Sequence, residues 1–121
     1  MKAILATSIS ILTLLISAQA QEPKIEAFKA PFHVGKSVMA CGEVAQVSKG
    51  KKATYLNLDK EYPNQSLTIL VWDSNLAPFE ERFGNLKRLS GERICARGKI
   101  SEYKNTLQIK VSNPQFLRLM K

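Results

Sequence analysis

Between residues 36 and 111, apolar and polar side chains alternate in five separate runs. A period of two sends successive side chains to opposite faces, so each run predicts a strand with one buried face. The runs span Lys36 to Val47, Ala53 to Asp59, Leu67 to Trp72, Glu92 to Tyr103, and Thr106 to Val111. In the second, Leu56 and Leu58 face one way and Tyr55 and Asn57 the other. In the third, Leu67, Ile69 and Val71 face inward, leaving Thr68, Leu70 and Trp72 outside. In the fifth, Leu107, Ile109 and Val111 face inward. Ser48 to Lys52, Lys60 to Ser66 and Lys104-Asn105 are polar turns between runs.

The period changes after Trp72. Asp73-Ser74-Asn75 offer side-chain oxygens to the free N–H groups of a helix start. Phe79 and Phe83 lie four apart, on one helical face. A short helix from Ala77 to Phe83 is expected, ending at Gly84, with its two rings plugging the end of the strand assembly. Residues 21–33 predict an extended or disordered lead-in, or a short helix over Ile25 to Phe28. Residues 118–121 form a basic tail expected to fray.

The first and fourth runs nearly copy each other: Val38-Met39-Ala40-Cys41-Gly42-Glu43-Val44 and Ile94-Cys95-Ala96-Arg97-Gly98-Lys99-Ile100. A glycine inside a strand marks a bend or bulge. Placing Cys41 opposite Cys95 puts Ala40 opposite Ala96 and Gly42 opposite Ile94, so the small residues face inward and both sulfurs outward. Three strands, a short helix and two strands follow the order of the OB-fold, a five-stranded, partly open barrel. The expected fold is all-β: one such barrel over residues 34–117, with a short helix between strands three and four.

The first twenty residues stand apart. A basic start at Lys2, an apolar run from Ala3 to Ile16 and the small-x-small triplet Ala18-Gln19-Ala20 predict a signal peptide cut after Ala20. The run is shorter than the roughly 20 residues a spanning helix needs, so no transmembrane segment is expected in the mature chain. The destination is periplasmic or secreted. Two cysteines in an exported chain are expected to be bridged, Cys41 to Cys95. The formal charge of +8 points to an anionic partner.

Catalytic chemistry is sparse. His33 is the one histidine, too few for a tetrahedral metal set with bonded cysteines. Glu80 and Glu81 are adjacent on a helix and do not converge, and Lys60 opposes a cation at Asp59 and Glu61. No enzyme activity, metal or cofactor is expected. Binding chemistry is more evident, as lysines attract phosphates and bases stack on exposed aromatic rings. Candidates are Lys49, Lys51 and Lys52 in the first turn, Tyr55, Asn57 and Trp72 on the outer face of strands two and three, and Tyr103 and Lys104 at the last turn. Arg97 and Lys99 extend a basic surface over strand four.

The matching segments are Val34-Gly35-Lys36, Ala40-Cys41-Gly42-Glu43-Val44, Tyr55-Leu56-Asn57-Leu58, Tyr62-Pro63-Asn64-Gln65 with Leu67-Thr68-Ile69, and Gly91-Glu92-Arg93-Ile94-Cys95 running into Ala96-Arg97-Gly98-Lys99-Ile100. Through these the chain resembles small exported bacterial OB-fold domains of the predicted nucleic-acid-binding type, which also occur appended to secreted nucleases. The resemblance implies a non-catalytic module for single-stranded DNA or RNA with low sequence preference. Two alternatives remain: an envelope protein-interaction module using sheet edges or the Tyr62-Pro63-Asn64 loop, and an oligosaccharide-binding module stacking sugars on Tyr55 and Trp72.

Overall fold

A computed structural model of the protein describes residues 22–120, so the expected signal peptide lies outside the described residues. The strands are β1 (Lys24–Glu26), β2 (Ser37–Lys49), β3 (Ala53–Leu58), β4 (Leu67–Trp72), β5 (Arg93–Lys99), β6 (Ser101–Tyr103), β7 (Thr106–Lys110) and β8 (Leu117–Met120). Helix α1 (Leu76–Phe83) lies between β4 and β5. Hydrogen-bonded neighbours run β6-β7-β4-β3-β2-β5-β8, with β1 added in parallel beside β2. Along that path β4 and β7 pair in parallel and the other pairs are antiparallel. The path is not a closed hydrogen-bonded ring. Ile100 joins β5 to β6, so the chain itself draws the ends together. The five barrel positions of an OB-fold are thus held by β2, β3, β4, the β5–β6 pair and β7.

At 13 residues, β2 is long enough to serve two half-sheets. Ser37 to Glu43 pairs with β5, and Val44 to Lys49 pairs with β3. Gly42 stands at this changeover. A Cβ there would lie 3.1 Å from Ala27 Cβ and 3.3 Å from Leu58 Cβ. Gly98 is tighter, since its Cβ would lie 2.6 Å from Ile109 Cγ2. The two glycines therefore permit close crossings. The register shift itself falls between Val44 and Gln46, beyond the glycine.

The predicted cross-strand register is the one observed: Ala40 opposite Ala96, Cys41 opposite Cys95, Gly42 opposite Ile94. The two sulfurs are bonded at 2.00 Å. Both cysteines are shielded from solvent yet lie outside the core cluster, in a row that runs Glu26, Cys41, Cys95, Arg118 across four strands. Inside the barrel pack Val38, Val44, Leu56, Leu58, Leu67, Ile69, Val71, Ile94 and Ile109, all fully buried. Phe79 of α1 closes this core and is fully buried, while Phe83 packs only part of its ring against it. Burying one such phenylalanine stabilises the fold by about 1.5–3 kcal/mol.

Four local expectations change. The fourth run breaks at Ile100, the position opposite Lys36 in the β2–β5 register. Its N–H still donates to Lys36 O at 3.0 Å, but the Lys36 N–H turns back to His33 O and Gly35 N–H donates to Ile100 O at 2.8 Å in its place. The lead-in is extended over β1 and then helical, but the helix is a 3-10 turn from Ala27 to His33, later than the expected Ile25 to Phe28, and it buries Ala27 and Ala30. The tail does not fray, because Leu117 and Leu119 alternate with Arg118 and pair with Ala96 and Ile94 in β8. Asp73 to Asn75 form a 3-10 turn without side-chain capping of α1, and Asp73 instead ion-pairs with Lys49.

Candidate functional site

Registers across β2, β3, β4, β7 and β6 bring one row of polar residues together: Gln46, Asn57, Thr68, Gln108 and Ser101. Directly paired residues share a face, so all five stand on the outside of the barrel. Asn57, Thr68 and Gln108 are more than nine-tenths buried despite facing outward. Burial of polar groups is tolerated where they bond one another. Asn57 Nδ2 donates to Gln46 Oε1 at 2.8 Å, and Thr68 Oγ1 donates to Asn57 Oδ1 at 2.8 Å. The loop from Lys60 to Ser66 covers part of the row. Its Tyr62 N–H donates to Gln46 Oε1 at 2.9 Å, and Gln65 Nε2 donates to Thr68 Oγ1 at 3.0 Å.

Gln46, Asn57, Thr68 and Gln108 of this row floor a cleft of about 390 Å³. Tyr55, Tyr62 and Tyr103 wall it, with Ser48, Thr106 and Lys104 completing the rim. Tyr62 and Tyr103 are exposed. Lys104 and Asn105 both take positive φ, the geometry of a tight two-residue hairpin, which places Tyr103 and Lys104 at the mouth. Lys104 Nζ lies 5.4 Å from the Tyr103 ring centre. Lys104 is the charged side chain that lines the cleft, and no carboxylate lines it among the described residues. Aromatic faces, amides and hydroxyls with little charge suit a flat or hydroxylated neutral group.

Four of the residues picked from sequence meet here: Tyr55, Asn57, Tyr103 and Lys104. Trp72 shares the outer face, since Ala53–Trp72 and Tyr55–Leu70 are neighbouring pairs, but it stands beyond the cleft, toward the first hairpin. Lys51 and Lys52 project from that hairpin tip and enter no ion pair among the described residues. Lys49 is on the other face of β2, beside Val47 and Thr54, with Asp73 as its partner. Arg97 and Lys99 belong to the disulfide-bearing wall, and Arg97 Nε donates to Glu22 at 2.9 Å. Arg93 on that wall pairs with Glu26. The Glu26 hydrogen bond raises the Arg93 pKa above its ordinary value. Desolvation opposes it, and the nearby negative charges of Glu26 and Asp59 add smaller effects in the raising sense.

Sequence reasoning passed over Gln46, Ser48, Gln65, Thr68, Thr106 and Gln108 as cleft residues, and considered Tyr62 only as part of a protein-interaction loop. The strand members share one signal, an uncharged polar residue on the outward row; Tyr62 and Gln65 come from the loop between β3 and β4. Thr68 within Leu67–Trp72 and Gln108 within Thr106–Lys110 both show it. Among the described residues no group of three or more His, Cys, Asp or Glu could hold a metal ion, and no helix is long and apolar enough to cross a membrane.

No protein-family model matches the chain, and no curated protein matches it in sequence. Solved structures do match. The Stn1-ten1 complex of S. pombe aligns at a TM-score of 0.52 and 12% identity, over 70% of this chain and 58% of that one. An OBody bound to hen egg-white lysozyme aligns at 0.53 and 14%, over 75% and 85%. Asparaginyl-tRNA synthetase of Entamoeba histolytica, in complex with asparaginyl-adenylate, aligns at 0.52 and 14%, over 80% of this chain and 23% of the synthetase. The chain thus spans little more than half of the first of these and under a quarter of the last. At such identities the likeness shows the fold, an OB-fold.

Proposed function

We propose that this protein is a non-catalytic, exported OB-fold module that binds single-stranded nucleic acid. One observation carries the reading: three tyrosines surround a polar, almost uncharged cleft with Lys104 at its mouth, while Lys51 and Lys52 stand free of ion pairs among the described residues at the first hairpin tip. Rings stack bases, each worth about 1–3 kcal/mol, and lysines meet the phosphates on either side. Stacking tolerates any base, so preference along most of the bound strand is low. The likeness to a tRNA synthetase adds support at the level of fold only. The disulfide supports export, because such bonds persist in oxidising compartments.

Fluorescence anisotropy with a labelled single-stranded oligonucleotide tests this. If Lys51, Lys52 and Lys104 meet phosphates, log K should fall against log salt with a slope of about −2. Absence of binding at low salt would reject the reading. Oligosaccharide binding is the second reading, favoured by the scarcity of charge in the cleft. Binding of a neutral glycan, unchanged between low and high salt, would select it.

A further inference from the structure

A single backbone group sets the direction of every hydrogen bond in the polar row. The Tyr62 N–H can only donate, so the Gln46 atom it meets at 2.9 Å is the oxygen. Asn57 must then present its NH2 to that oxygen and keep its own oxygen for Thr68. The Thr68 hydroxyl spends its proton on Asn57 and can only accept from Gln65. Gln65 therefore points its NH2 at Thr68 and is left with Oε1, a buried acceptor with no partner. The relay begins and ends on one loop, three residues apart. Its end sits where the cleft meets a second depression of about 250 Å³ lined by Phe28, Pro31 and Pro63.

We infer that Gln65 Oε1 is the group by which the cleft selects among bases. The inference rests on the nucleic-acid reading above. An unsatisfied buried acceptor favours whatever brings it an N–H and disfavours whatever brings another acceptor. The exocyclic amino group of cytosine supplies the first, and the O4 of uracil in the same place supplies the second. The terminal amide torsion of glutamine is soft, so a small rotation turns Oε1 toward an entering ring. One position in the bound strand is thus read, while its neighbours are merely stacked.

The test compares oligo(dC) with oligo(dU) of equal length at neutral pH and low salt. These differ at the ring edge and little in stacking. Oligo(dC) should bind the native protein about tenfold more tightly. Gln65→Met keeps the size of the side chain and removes the acceptor. It should bring the two affinities together, that for oligo(dC) falling and that for oligo(dU) rising as the opposing acceptor is removed. Equal affinities in the native protein would overturn base selection and leave nucleic-acid binding intact. A preference that survives Gln65→Met would overturn the role of Gln65. Binding of neither oligomer would remove the nucleic-acid reading and this inference together.

Discussion

The two half-sheets of the barrel treat their outward polar residues in opposite ways. On the wall of β1, β5, β8 and the first half of β2, two arginines meet carboxylates, Arg93 with Glu26 and Arg97 with Glu22, while Lys99 and Arg118 enter no ion pair among the described residues. A disulfide ties that wall together. On the face of β3, β4, β7, β6 and the second half of β2, the outward row is amides and hydroxyls, flanked by tyrosines. The difference shows why counting lysines and arginines does not locate a ligand. A cation whose partner is already in place adds little field outside the protein. An uncharged polar row that is buried, ordered and open on one side is the less common arrangement. The wall should govern stability and the face should govern binding, and mutations can separate the two.

The largest effect should come from the wall. Cys41→Ser with Cys95→Ser opens a crosslink between residues 54 apart in sequence. In the chain-entropy view that costs about 4 kcal/mol of stability. Urea titration measures it. In the cold, where enough protein stays folded, affinity per folded molecule should match the native value. A binding loss larger than the unfolded fraction would mean that the wall shapes the site.

Next come the aromatic walls of the cleft. Tyr55→Ala and Tyr103→Ala should each weaken binding by about 1–3 kcal/mol. Tyr103 is 59% exposed, so its removal should change stability by no more than about 0.5 kcal/mol. Anisotropy and thermal melts on the same samples check both. Affinity left untouched by Tyr103→Ala would take the hairpin of β6 and β7 out of the site.

How much of this was legible in the sequence follows from the kind of signal each feature leaves. Strict alternation identified β3, β4 and β7, and the paired small residues around Cys41 and Cys95 gave the β2–β5 register to the residue. What failed was anything decided by a distant segment. Nothing local at Ile100 announces that Gly35, rather than the Lys36 opposite it, will donate to its carbonyl. Leu117 and Leu119 are too few to read as a strand without knowing that the edge of β5 is open. At the site, tyrosines next to lysines are visible in sequence, and so Tyr55, Tyr103 and Lys104 were found. The row from Gln46 to Ser101 is drawn from five strands and exists only once their registers are set. Lys49, expected in the first turn, ends β2, and parity along that strand sets it on the face opposite to Gln46 and Ser48.

Charge gives a finer division between wall and face. Lys51→Gln with Lys52→Gln removes two free cations from the hairpin tip. If both meet phosphate, the slope of log K against log salt should become shallower by about 1.4. Arg97→Gln should leave the slope almost unchanged, since Glu22 already takes up its charge. Equal changes from the two variants would erase the distinction between paired and free cations.

The smallest effect should be at Arg93, and it tests the wall on its own terms. Its guanidinium bonds to both oxygens of Glu26, in the row beside the disulfide. The raised pKa means that Arg93 is charged wherever the domain folds. A group with a raised folded-state pKa contributes its stability below the unfolded value and loses it only as pH climbs through the folded one. For arginine that window lies above the working range, so its own titration gives stability no slope near neutrality. Both partners are about half exposed, and such a pair is worth under about 1 kcal/mol after solvent and salt screening. Arg93→Gln should therefore lower the melting temperature slightly, less so at high salt, and leave affinity for oligonucleotides as it was. A clear loss of affinity would show Arg93 reaching phosphate despite Glu26, and the wall would then have to be counted as part of the binding surface.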